Sequence, residues 1–161
     1  MASGDIQYAN PNVTQLVGAR KANVAAGATT INPGEPVAMA LGAVSVTAMA
    51  TNKPVVATDF LIGISTSTST QTASVAGTVD YIPLIDGQEY LISPKVAASW
   101  DTQAEYDALV GKRVLIDLTT GSYTILAADD ATSGCVITAM NIAENPGKVK
   151  FVFRAGVNVF S

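Results

Sequence analysis

Apolar positions along this chain recur mainly with a period of two, in short runs separated by turn residues. That pattern predicts strands rather than long helices. The alternation begins near Asn23. Pro33-Gly34 fits the centre of a type II turn, where Pro supplies the fixed φ and Gly the positive one. Val37, Met39 and Leu41 then alternate with small residues, Gly42-Ala43 fits a two-residue hairpin turn, and Val44 and Val46 carry the returning strand. Residues 60–65, FLIGIS, form an apolar run of β formers and read as a buried strand. Residues 78–84 resume the alternation, Asp86-Gly87 marks a turn, and QEYLI reads as the returning strand. Residues 113–126 read as a hairpin around Thr119-Thr120-Gly121, and residues 135–141 as a further strand. In residues 148–154, Lys148, Lys150, Val152 and Arg154 alternate with Val149, Phe151 and Phe153, the apolar set facing the core.

Three segments depart from this period. Residues 101–110, DTQAEYDALV, predict a short helix capped by Asp101 or Thr102, with Glu105 in an early turn and Gly111 at the stop. Trp100, just before the cap, reads either as a core or staple residue or as an interface anchor or sugar-stacking platform. Residues 66–77, TSTSTQTASVAG, read as a mobile loop, an extended arm or in part an edge strand. Residues 1–24 are broken by Gly4, Asn10, Pro11 and Asn12. They read as a frayed terminus or as an arm that orders on a partner. In the second reading Tyr8, Leu16 and Val17 are the apolar anchors and Arg20 and Lys21 the charged ones. The expected organisation is an arm over 1–24 and a β-rich domain over 25–161. The fold class is mainly β, a small barrel or sandwich-like domain of about seven to nine strands with one or two short helices.

Composition narrows the chemistry. The 161 residues include 13 acidic and 9 basic residues, no histidine and one cysteine, for a net charge of −4. Without histidine there is no Ser-His-Asp triad, Cys-His pair or imidazole ligand. One cysteine excludes an internal disulfide framework and cysteine-cluster metal sites. The acidic balance argues against nucleic acid as a partner, since phosphate binding needs clustered Lys and Arg. A mean hydropathy of +0.33 raises the question of a membrane. Residues 60–79 are half Ser, Thr and Gln, and 36–52 are short and contain Gly42, so neither supplies the roughly 20 apolar residues of a spanning helix. The start, MASGDIQYANPN, carries no signal-peptide pattern. Charged residues make up only 14%, against roughly a quarter in average domains. With 25 Ala, 18 Val and 17 Thr, the surface is expected to be bland and in part covered by other subunits.

Carboxylates are the catalytic device left in quantity. Asp129-Asp130 is expected in a loop, and Asp101, Glu105 and Asp107 cluster on the helix. Acid–base work on a glycosidic bond needs two carboxyls facing across a cleft, roughly 5–9.5 Å apart. Neighbouring loop aspartates instead stand in solvent, and the spaced calcium-loop pattern is missing. No Ser-x-x-Lys and no glycine-rich phosphate loop occurs. Cys135, in an apolar run, reads as a buried inert thiol. Lys148, Lys150 and Arg154 form either a solvated strand face or a surface for an acidic partner. The chain is therefore not expected to be an enzyme, and no cofactor or metal is expected.

The segment INPGEPVAMALGAVSVTAM, then FLIGIS, then a G-T-V-x-Y strand, resembles the capsid decoration (cement) proteins of tailed bacteriophages. The motifs are Gly34-Glu35-Pro36-Val37 and Ile62-Gly63-Ile64, and the likeness covers roughly residues 30–85. It implies a β-rich structural virion protein on the outer surface of the expanded capsid. It also implies the major capsid protein and further copies of itself, as a homotrimer, as partners, with neither nucleic acid nor membrane bound. The alternative expectation is a phage fibre, tail or surface module that binds glycan, motivated by Trp100 and the tyrosines. A small Asp/Glu hydrolase is the remaining one.

Overall fold

A computed structural model describes residues 6–10, 18–51, 53–96, 98, 100–118, 122–126 and 129–157. The fold is mainly β, as the period-two pattern predicts. The strands are β1 (Gln7–Tyr8), β2 (Arg20–Val24), β3 (Pro36–Ala38), β4 (Thr47–Ala48), β5 (Leu61–Ser65) and β6 (Gly77–Pro83). They continue as β7 (Glu89–Pro94), β8 (Arg113–Val114), β9 (Ile116–Asp117), β10 (Thr124–Ile125), β11 (Cys135–Ile137) and β12 (Val149–Phe153). One helix, α1 (Gln103–Asp107), interrupts them among the described residues. Many strands are only two or three residues long, and so the sequence period alone undercounts them.

Five strands make one sheet in the order β2-β6-β5-β3-β4. Its ends approach each other: Val24 and Val46 form a parallel bridge, with the Val46 amide donating to the Asn23 carbonyl at 2.8 Å. The nearly closed sheet wraps a small core of Val24, Ile31, Val37, Val46, Ile62, Val79 and Tyr81. β5 lies between this core and the larger one, to which it gives Leu61 and Ile64, so all five of its residues are buried. Burial on both faces is why FLIGIS is a continuous apolar run rather than an alternating one.

The Gly34-Glu35-Pro36-Val37 and Ile62-Gly63-Ile64 motifs are strand partners, with Pro36 opposite Ile64 and Val37 opposite Gly63. Gly34 takes a positive φ of 81°, as the type II turn requires. The Glu35 carboxylate is buried beneath that turn and accepts from the Asn32 amide at 2.9 Å and side-chain nitrogen at 3.1 Å. Ser65 ties the turn to β5: its hydroxyl accepts from the Glu35 amide at 3.0 Å and faces the Asn32 and Glu35 carbonyls. The motif is thus the device that joins β3 to β5.

Two expected hairpins differ in detail. The turn after β3 spans Ala40–Ala43, closed by the Ala43 amide on the Ala40 carbonyl at 3.0 Å, with Gly42 at φ 78°. It falls one residue earlier than expected. Leu41 and Val44 therefore leave the core alternation and stand in solvent. After β6, the turn at Asp86-Gly87 forms, but β7 does not return beside β6. Both edges of β6 are already taken, by β2 and β5, so the chain crosses into the other sheet. Residues 66–76, expected as a mobile loop, arm or edge strand, are instead an ordered connection. The Thr66 amide donates to the Asp80 carbonyl at 2.8 Å and Thr70 to Thr78 at 3.0 Å. Ser69 is buried, its hydroxyl accepting from the Ile31 amide at 2.8 Å. Hydroxyl side chains here supply hydrogen bonds that a strand would have made with its backbone.

The second sheet runs β8-β11-β12-β7-β10-β9, with β1 also on β7. Residues 53–55 bridge β9 at Ile116 to Ser133, next to β11. The predicted hairpin of residues 113–126 forms between β9 and β10, with Ile125 opposite Ile116, while its turn at 119–121 lies outside the described residues. Helix α1 covers this sheet. Thr102 is its N-cap, with a complete capping box: its hydroxyl accepts from the Glu105 amide at 3.3 Å, and the Glu105 carboxylate accepts from the Thr102 amide at 3.1 Å. Tyr106 is buried, donating to the Thr138 carbonyl at 2.9 Å and accepting from the Lys150 amide at 2.9 Å. A five-residue helix has little stability of its own, so the box and Tyr106 hold it in place. Thr102→Ala is expected to lower stability by about 1 kcal/mol. In a thermal melt this reads as a fall of roughly 2–4 °C.

Candidate interaction surface

The candidate carboxylates are engaged in local hydrogen bonds. Asp129 accepts from the Arg113 backbone amide at 3.0 Å and from its guanidinium at 3.3 Å, and these bonds hold its carboxyl below the usual range. Asp130 caps a turn, accepting from the Thr132 amide at 2.7 Å and hydroxyl at 2.8 Å, with the same downward effect. At the exposed start of α1, the hydrogen bond shared with Glu105 raises Asp101, while Glu105 itself is lowered by Thr102 and Asp101. These groups serve turns and a helix cap. Among the described residues no group of three or more Cys, Asp or Glu side chains is placed to hold a metal. Cys135 is fully buried, and burial pushes its thiol well up, the opposite of what a nucleophile needs.

The strand face of Lys148, Lys150 and Arg154 is satisfied within the chain. Lys150 pairs with Glu89 at 3.3 Å, Lys148 donates to the Ser93 hydroxyl at 3.2 Å, and Arg154 donates to the Ala131 and Ser133 carbonyls at 3.0 and 2.7 Å.

The residues expected to form an interface are dispersed. Tyr8 lies on β1, opposite Tyr90 of β7, and the two rings stand 5.2 Å apart. Tyr8 is partly buried against the larger core, which raises its hydroxyl as burial raises that of Tyr90, so it is half-built into the body rather than carried on an arm. Trp100 is buried in the larger core, edge-on to Tyr106 at 6.1 Å. Its core reading is the one the geometry supports; a buried indole offers no stacking face. Leu16 and Val17 lie outside the described residues. Arg20 and Lys21 are exposed and adjacent, but they belong to β2, five residues of strand paired along β6. Expected within the 1–24 arm, β2 is instead a wall of the small barrel, because Ala22 and Val24 pack inward on its core. Lys21 meets Asp80 across the strands at 3.1 Å, and both side chains are well exposed.

The β3–β4 hairpin tip supplies what sequence reasoning missed. Leu41 is 85% exposed and Val44 88%, the largest values among the bulky apolar residues described. Val44 borders two hollows. One, of about 610 Å³, lies between the tip, the end of β2 and the start of β6. The other, of about 240 Å³, lies between the tip and the β2 edge at Lys21 and Asn23, over Ile62 and Tyr81. Exposed Val75 precedes Ala76, which lines the first hollow. The tip, its two hollows and Lys21 make one surface at one end of the barrel, while Arg20 lines neither hollow. The signal in the sequence was the glycine itself: at the third position of a type II turn Gly42 puts Leu41 at the outward second position.

No helix among the described residues is long and apolar enough to cross a membrane. No family model, no curated protein and no solved structure matches the chain.

Proposed function

We propose that the protein is a structural virion subunit that binds the outer surface of an expanded tailed-phage capsid and stabilises it, acting as a homotrimer. The observation that carries this reading is the apolar tip of Leu41 and Val44, projecting from the segment on which the decoration-protein resemblance rests. Two bulky aliphatic side chains exposed at one hairpin tip, beside a hollow that Val44 borders, offer apolar surface for a partner to cover. The nearly closed barrel beneath provides a rigid mount, so little ordering cost falls on binding. Three copies on one trimer multiply weak single contacts into avidity. Stabilisation follows from preference: a subunit that binds the expanded lattice better than the precursor shifts that equilibrium by the difference in affinity.

The partners on this reading are the major capsid protein and further copies of the chain, and the location is the outside of the virion. A glycan-binding role, motivated by Trp100 and the tyrosines, is less supported, since Trp100, Tyr81, Tyr90, Tyr106 and Tyr123 are buried and Tyr8 is half-buried. The test is to mix purified protein with undecorated expanded shells and with procapsids of the phage that encodes it. Saturable binding to the expanded shell and a raised shell melting temperature are expected. Equal binding to both shells, or none, would sink the proposal.

A further inference from the structure

Aspartate and asparagine carry a reaction of their own with the chain. The amide nitrogen of the next residue attacks the side-chain carbonyl carbon and closes a five-membered imide. The attack needs a next amide that is not already hydrogen-bonded and a next residue of little bulk. Most such positions among the described residues are closed to it. Asn10, Asn32 and Asn145 precede proline, which has no amide hydrogen. The amides after Asp101, Asp107 and Asp129 donate to the Glu105 carboxylate, the Ala104 carbonyl and the Arg113 carbonyl at 3.1, 3.2 and 3.0 Å. Those after Asp117 and Asn141 donate to the Thr51 hydroxyl at 2.9 Å and the Gln103 side-chain oxygen at 3.1 Å. Asn23 and Asp80 precede residues paired within the barrel sheet. The Asp59 and Asp130 carboxylates are each held by two donors, Asp59 by the Val55 amide and Lys53, Asp130 by the Thr132 amide and hydroxyl.

Asp86-Gly87 differs. The sequence holds one Asp-Gly and no Asn-Gly. The pair takes the two central positions of the turn from β6 into β7, with Gly87 at φ 76° and the Gln88 amide on the Ile85 carbonyl at 3.1 Å. That is the type II arrangement. Its closing bond spans the peptide between Asp86 and Gly87 without using it, so this peptide can rotate while the turn stays closed. Among the described residues the Gly87 amide meets no acceptor. Both residues are exposed, and a Cβ on Gly87 would meet nothing within 4 Å, so no neighbouring group blocks the motion the attack requires.

We propose that Asp86 is a site of spontaneous isomerisation to isoaspartate, and through it a substrate for carboxyl methylation from S-adenosylmethionine. The Gly87 nitrogen bonds to Cγ of Asp86, and one carboxyl oxygen leaves as water with the amide proton and the carboxyl proton. Water then adds to either carbonyl of the imide. Opening at Cγ restores aspartate. Opening at the main-chain carbonyl leaves the chain running through Cβ and Cγ, with a free α-carboxylate as the methyl acceptor. The water released in the first step is returned in the second, so no other reactant is needed. The isomer lengthens the main chain by one carbon inside a turn closed over four residues. It therefore strains the Ile85–Gln88 bond and the start of β7, at the rim of the 380 Å³ hollow that Gly87, Gln88, Glu89 and Lys150 help to line.

The experiment ages the purified folded protein at neutral pH beside Asp86→Glu and Asp86→Asn. Methyl transfer from labelled S-adenosylmethionine by an isoaspartyl methyltransferase counts the isomer, and peptide mapping with electron-transfer fragmentation places it. In the wild-type protein the label is expected to grow with time and to map to residue 86. Asp86→Glu, which could close only a six-membered ring, is expected to lose that label. Asp86→Asn is expected to convert its side-chain amide to acid sooner, with the mass change that exchange brings, because ammonia leaves more readily than water. Aged wild-type protein without isoaspartate at residue 86 overturns the proposal. So does label that persists in Asp86→Glu, or an Asp86→Asn amide that outlasts the chain's other asparagines. None of these results bears on the decoration reading, which shell binding tests separately.

Discussion

Gly63→Val is expected to abolish the cooperative thermal melt of this protein, and Gly63→Ala to lower it by roughly 10 °C. A Cβ at residue 63 would stand 2.1 Å from the Ile82 carbonyl oxygen, 2.5 Å from a ring carbon of Tyr81 and 2.9 Å from the Ile82 carbonyl carbon. Two of these three atoms are backbone of β6 and cannot rotate away. Relief requires β5 and β6 to separate, and β5 is the strand buried between both cores. Overpacking a core costs about 1–3 kcal/mol when side chains can adjust, and more when a backbone ladder must move. Against a total stability of roughly 5–15 kcal/mol, alanine spends a large part of the margin and the two further methyls of valine the rest. Circular dichroism during heating is the check. A Gly63→Ala melt indistinguishable from wild type would contradict the packing described here.

The second large effect concerns binding rather than folding. Leu41→Asp combined with Val44→Asp is expected to weaken shell binding at least about 100-fold while leaving the melting temperature nearly unchanged. Both side chains are exposed in the free protein, so replacing them removes no core contact. Burying a leucine or valine contributes about 1.5–3 kcal/mol. Losing both, and placing carboxylates where apolar contact is needed, exceeds the roughly 2.7 kcal/mol that a 100-fold change represents. Co-sedimentation with expanded shells measures the first quantity and a thermal melt the second. Unchanged binding would remove the tip from the interface. A collapsed melt would mean that the tip is packed in solution, as in a trimer whose subunits cover it, and light scattering on the variant would show the loss of that assembly.

Legibility varied with how local the cause was. Strands β5, β6, β7 and β12 were visible because each carries a run of β formers bounded by turn residues. The helix start was visible because a capping box lies within four residues of sequence. The hairpin tip was misread by a single position: alternation alone put Leu41 in the core, and the turn chemistry of Gly42 won. The Ser/Thr segment reads equally as a mobile loop, an arm or in part an edge strand because its partners, Ile31, Thr78 and Asp80, lie far from it in the chain or across a turn. Trp100 could be read either way, since what decides between a core and a surface indole is the sheet beneath it. Of the expected interface residues, Lys21 falls on the candidate surface and Arg20 lines neither of its hollows, while Tyr8 and Trp100 are held by the body.

The sequence by itself determined the β class, the positions of most turns, the capped helix and the absence of histidine and cysteine-cluster chemistry, because each follows from residue type, spacing of a few positions or simple count. Only the tertiary structure decided that β7 leaves its hairpin for another sheet, that Val24 meets Val46 to bring the ends of the barrel sheet together, and that Val44 stands exposed beside two hollows. Those outcomes depend on which edges are already occupied when distant strands pair. That competition is settled by packing across the whole chain, and no local pattern encodes it.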